Sequence, residues 1–91
     1  MRCEEKVPNG KLVCVSVEAQ DGQVAEVRIT GDFFLHPEET IENVERSLEG
    51  VTVDIDEAEA ASRIGAALEG AQLIGATAED LARIFKKAVS Q

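Results

Sequence analysis

The imidazole and thiol side chains, the ones best suited to zinc or iron ligation and to nucleophilic chemistry, are few: one histidine, His36, and two cysteines, Cys3 and Cys14. They fall in three separate local settings, an N-terminal stretch, a strand and a strand-to-helix junction. A zinc site needs several ligands converging at bonding distance, and an iron–sulfur cluster wants three or more thiolates, so neither is expected. Cys14 would be reactive if Arg28 lowered its pKa; the plainer reading is a small residue on a partly covered sheet face. His36 has no serine or cysteine on a sharp turn beside it to activate, and reads as a helix cap. Glu38-Glu39 and Asp54/Asp56 lack the buried context that raises a carboxyl pKa for general-acid work. The seven glycines never approach the spacing of a phosphate-binding or dinucleotide loop. What remains is a surface. Phe34 and Leu35, if outward, would be costly to leave in water and would mark a contact site; if inward, they cover the core.

These residues depend on elements that hydrophobic periodicity defines. Residues 1–10 are polar and end in Pro8-Asn9-Gly10, a turn cluster. Residues 11–19 alternate with Val13, Val15 and Val17 on one side, and residues 23–30 alternate with Ala25, Val27 and Ile29, which predicts a β-hairpin. A bare two-residue Asp21-Gly22 turn would set each apolar row against the other strand's polar side. A three-residue loop, Gln20-Asp21-Gly22, instead pairs Val17 with Ala25, Val15 with Val27 and Val13 with Ile29, places Cys14 beside Arg28 and Ser16 beside Glu26, and gives Gly22 the left-handed position. At Gly31-Asp32-Phe33-Phe34 the alternation directs Phe33 inward and Asp32 and Phe34 outward, unless Gly31 marks a bulge.

His36-Pro37 reads as cap and first helical residue, with Ile41, Val44 and Leu48 as the inner stripe and Gly50 as terminator. The alternation of residues 51–55 allows a short third strand. Asp56 with Glu59 suggests a capping box for a helix whose inner face is Ala61, Ile64 and Leu68, ending at Gly70. Residues 71–76 form a connector with Leu73 and Ile74 tucked against the core. Thr77 caps the last helix, whose Leu81, Ile84, Phe85, Ala88 and Val89 keep full helical spacing. The fold class is α+β: an antiparallel hairpin, with room for a third strand, packed by three helices.

At 91 residues the chain has the length of one domain, 1–91. Eighteen acidic residues against nine scattered basic ones give a net charge of −9, which repels phosphate backbones and argues against nucleic-acid binding. No long apolar run or signal-type N-terminus indicates a membrane or secretory route. The expected location is the cytoplasm, where two thiols stay reduced.

The run Gly10-Lys-Leu-Val-Cys-Val15, a hairpin, Ile29-Thr-Gly-Asp-Phe-Phe-Leu35, then Pro37-Glu38, Ile41, Glu45, Leu48 and Gly50, resembles the C-terminal accessory domain of lipoate–protein ligases. Standing alone, the chain is most similar to the small subunit of the bipartite ligases. The likeness is specific from Lys6 to Gly50 and looser from Asp56 onward. Cys14 departs from it, at a place where many relatives carry a basic residue. The resemblance implies an α+β fold like that of SufE/IscU scaffolds and a part in ATP-dependent conversion of lipoate to lipoyl-adenylate. A catalytic large subunit would hold ATP, Mg and lipoate, this chain would bind no cofactor alone, and lipoyl acceptor domains would be met indirectly. Lys11, Gly31, Asp32, Phe33 and Phe34 are implied as partner-interface positions, none of them catalytic. Two other readings compete: a sulfur-transfer or iron–sulfur assembly module, suggested by the implied fold and Cys14, which alkylation of both cysteines would disable, and a general acidic interaction domain, whose binding would weaken with salt and ignore Phe34.

Overall fold

The computed structural model describes residues 1–8 and 10–90; Asn9 of the expected first turn lies outside the described residues. Strands β1 (Arg2–Lys6), β2 (Leu12–Gln20) and β3 (Gln23–Gly31) form an antiparallel sheet in that order. Two short strands, β4 (Phe34–His36) and β5 (Gln72–Ile74), pair as a separate ribbon. Helices α1 (Thr40–Ser47), α2 (Glu57–Ala67) and α3 (Ala78–Val89) complete the chain.

The valine row of β2 is the floor of the core: Val13, Val15 and Val17 are fully covered. Its partner row differs from the expected one. Asp21 and Gly22 both take positive φ, 55° and 80°, so the hairpin closes through a two-residue turn of the I′ kind. Parity is restored by a register shift: Ala19 pairs with Val24 but Glu18 pairs with Glu26, leaving Ala25 as the extra, exposed residue of a β-bulge. Val17 therefore meets Val27, Val15 meets Ile29 and Val13 meets Gly31, while Ser16 lies beside Arg28 and Cys14 beside Thr30. The bulge wins because it buries Val24 where the expected register would have buried Ala25. Two further carbons leave water, worth about 1.5 kcal/mol.

Strand β1 was hidden within the polar N-terminal stretch because its inward row, Cys3 and Glu5, contains a carboxylate. Glu5 does not break the core; it accepts hydrogen bonds from Lys87 Nζ (2.7 Å) and from both Nε and an Nη of Arg83 (3.0 and 2.9 Å), tying the edge strand to α3.

Residues 51–55 are not a strand. Thr52 makes one isolated bridge to Gln23, and Ile55 closes a turn onto Thr52. This segment covers the outer edge of β3: Val24 exchanges backbone hydrogen bonds with Val51 and Gly50, both 2.8 Å, and Val53 donates to Gly22. Helix α1 starts at Thr40, three residues later than Pro37. His36 ends β4 in register with Gln72, consistent with the extended preference of a residue before proline, and residues 37–39 form a turn onto which Thr40 and Ile41 donate.

Asp56 is the N-cap of α2, but its side chain makes no capping hydrogen bond; Glu59 instead pairs with Arg63 at 3.2 Å. The capping box that does form is at α3, where Asp80 N–H donates to Thr77 Oγ1 and Thr77 N–H donates to Asp80 Oδ2, each 3.0 Å. All five stripe residues of α3 are buried, Phe85 completely. Among the described residues no helix is long and apolar enough to cross a membrane.

The hydrogen bond from Lys87, with further ones from Arg83, holds the Glu5 carboxyl below the ordinary glutamate range, against an opposing desolvation effect. A carboxylate with a depressed folded-state pKa stabilises the fold above its unfolded pKa and loses that contribution as pH falls through the depressed value. Glu5→Gln is expected to lower stability at neutral pH by about 1 kcal/mol. It should also flatten the acid limb of a melting-temperature profile; parallel acid limbs for the variant and the parent would contradict this role.

Candidate functional site

The junction after β3 is shaped by a close approach. A Cβ on Gly31 would run into the backbone oxygen of Leu12, and the next amide, Asp32 N–H, donates to that same oxygen at 2.9 Å. Only glycine lets the two strands meet there. No bulge intervenes at Gly31, so the alternation continues: Phe33 packs against the core, while Asp32 and Phe34 face solvent.

A second glycine completes the support. Gly75, at φ +99°, lies against Phe33 and the stem of Lys11; an added Cβ would sit 3.1 Å from Lys11 Cγ and 3.4 Å from Phe33 Cα. Lys11, Phe33 and Gly75 are thus one packed cluster, with Gly31 touching the same Phe33 ring. Lys11 is exposed beyond this contact.

The β4–β5 ribbon then sorts side chains by its two-residue period. Leu35 is buried and Leu73 half-buried, whereas Phe34 and its cross-strand partner Ile74 remain 54% and 52% exposed. His36 lies on the Phe34 face, its ring stacked nearly parallel at 6.4 Å, in place of its expected capping position. The expectation that Ile74 lies in the core fails for the same geometric reason: once residues 72–74 form a strand, neighbours point to opposite sides.

Beside the ribbon runs a groove of about 320 Å³ whose walls are mainly Ile29, Phe33, Phe34, Leu35 and Ile41, with Glu38 as its ionisable lining residue. Its floor is anchored by Glu45, whose Oε2 accepts the Ile29 backbone N–H at 2.8 Å. Glu45 belonged to the sequence pattern without a role attached; nothing in the spacing of a helix discloses that a carboxylate will reach a strand edge.

The two cysteines do not converge. Cys3 packs toward the core, whereas Cys14 lies on the other face of the sheet, between Glu4 and Thr30, and its expected neighbour Arg28 is paired with Ser16. The junction offers solvent an aromatic and aliphatic surface edged by carboxylates, which is the chemistry of contact.

The chain that carries this face is small and α+β. It belongs to the family described as "Bacterial lipoate protein ligase C-terminus", whose model matches residues 1–85. No curated protein sequence matches it. Among solved structures, it is similar to a chain from an archaeal lipoylation system, described as a bi-partite lipoate protein ligase and its E2 lipoyl domain from Thermoplasma acidophilum. The TM-score is 0.77, with 22% identity over 93% of this chain and 92% of that one. At this identity the likeness establishes a shared fold.

The groove's construction gives separable expectations. Gly31→Ala should destabilise the chain by about 2 kcal/mol, because the Leu12 carbonyl must move. Glu45→Ala should cost about 1–2 kcal/mol and speed exchange of the Ile29 amide, while Glu45→Gln, which keeps an acceptor, restores most of both. Unchanged Ile29 amide protection in Glu45→Ala would refute the anchor.

Proposed function

We propose that this chain is the accessory subunit of a bipartite lipoate–protein ligase, working with a catalytic large subunit in ATP-dependent activation of lipoate to lipoyl-adenylate and so in protein lipoylation. The observation that carries the proposal is the family match, which spans residues 1–85. The fold it shares with a chain of the archaeal lipoylation system supports it. On this reading residues 1–91 are one accessory domain acting in the cytoplasm. ATP, Mg and lipoate are held by the catalytic subunit, and lipoyl acceptor domains of 2-oxoacid dehydrogenases or the glycine cleavage system receive the product.

In adenylation the lipoate carboxylate attacks the α-phosphorus of ATP and pyrophosphate departs. In the following transfer an acceptor lysine attacks the acyl carbon and AMP departs. A subunit without a catalytic side chain accelerates the first step by fixing loop geometry and excluding water from the mixed anhydride. Lys11, Gly31, Asp32, Phe33 and Phe34 make the interface on this reading: Gly31, Phe33 and the Lys11 stem form the rigid base, and the exposed Asp32 and Phe34 make the contact.

Because Asp32 and Phe34 face solvent, alanine at either position is expected to leave the far-UV circular dichroism spectrum unchanged. Each should lower lipoate-dependent pyrophosphate release by the two-subunit complex about tenfold. Wild-type release with both variants would end this reading of the junction.

A further inference from the structure

The groove beside β4 combines two features that constrain what can fill it. Its walls are apolar, and Phe34, exposed over half its surface, stands at its mouth with Ile74 as its neighbour on the ribbon. Its charged neighbours are mostly acidic: Glu38 lines it, Asp32 and Glu39 flank the ribbon in sequence, and Lys11, whose stem packs with Phe33 against Gly75, is the exposed cation on the far side of that ring. All three carboxylates are exposed, and none belongs to the ion pairs among the described residues, which use Glu4, Glu5, Glu42, Glu59 and Asp80.

We propose that the catalytic subunit fills this groove with an apolar anchor side chain set among lysine or arginine residues, the cations facing Asp32, Glu38 and Glu39. This inference rests on the chain being a ligase accessory subunit. The volume, about 320 Å³, suits one or two side chains inserted as an anchor. An apolar groove lined by one unpaired carboxylate, with two more next to the ribbon in sequence, selects against two other occupants. A second copy joined through a two-fold interface would bring both acidic rims together, on chains each carrying −9. A free fatty acid would place its own carboxylate in the same negative field. A cationic rim on the partner relieves that field and steers encounter, while the anchor supplies the tightness once the groove is dry.

The test is calorimetric titration of the purified full chain into the purified catalytic subunit at low and at high ionic strength. The wild type is compared with Phe34→Ala and with the double variant Glu38→Lys/Glu39→Lys, folding being checked by circular dichroism. Phe34→Ala should weaken affinity about tenfold at both ionic strengths. The charge-reversed variant should bind more weakly at low ionic strength and converge on the wild type at high ionic strength, where screening removes the rim's contribution. Wild-type or tighter binding by the reversed variant at low ionic strength overturns the cationic partner surface. Undiminished affinity of Phe34→Ala overturns the anchor, and self-association abolished by Phe34→Ala assigns the groove to a second copy instead. Lipoate-dependent pyrophosphate release separates the two levels. A wild-type chain that neither binds nor stimulates the catalytic subunit overturns the accessory reading as well. One that stimulates, with variants that bind like wild type, overturns the occupant alone.

Discussion

The outer edge of β3 is the constraint around which the chain is arranged. An edge strand carries backbone donors and acceptors that must find partners or invite unwanted pairing. Here Val24 is satisfied by Gly50 and Val51, the turn at Gly22 by Val53, and Ile29 by the carboxylate of Glu45. One loop and one helix are thus fixed against the same strand by hydrogen bonds, and α1 cannot rotate without releasing the Ile29 amide. Beyond that anchor the end of β3, Thr30 and Gly31, becomes a wall of the groove. Site and fold share this one edge.

The sheet's opposite edge is handled by charge. Strand β1 contributes Glu5 to a cluster with Arg83 and Lys87 on α3. Its solvent row, Arg2, Glu4 and Lys6, alternates in sign along the strand. An antiparallel copy centred on Glu4 would set Glu4 against Glu4 and Arg2 against Lys6, so the fully overlapping register is repulsive. The polar character that hides this strand in the sequence also leaves its edge lined with charge, a common guard on edge strands.

Legibility in the sequence followed the locality of the signal. The inward row of β2 and the stripe of α3 were readable because each is set by one element's own period and needs no knowledge of its neighbour. Phe33 inward and Phe34 outward were readable because alternation passes through Gly31 without interruption. The register of the hairpin was not, since the Ala25 bulge is favoured only when the core's demand for Val24 is known. β1 was invisible because Glu5 occupies an apolar position and is compensated by residues about eighty positions away. The β4–β5 ribbon, with Ile74 at the surface, depends on two three-residue segments pairing across half the chain, and neither has enough alternation to announce itself.

Strand β5 leads through Gly75 and Ala76 directly into the capping box of α3, so the ribbon and the C-terminal helix are joined by a packed connection of three residues. Whatever occupies the groove against Phe34 binds the folded ribbon and not the unfolded chain, and its binding energy is therefore added to the stability of the helix behind it. By mass action an occupant present at a hundred times its dissociation constant contributes about 2.7 kcal/mol. For a small protein with an aliphatic core and no tryptophan or tyrosine, that is a large share of a marginal total. The partner would then act as part of the fold: the chain's abundance in a cell would track the supply of its partner, and unpaired copies would be the ones exposed to proteolysis.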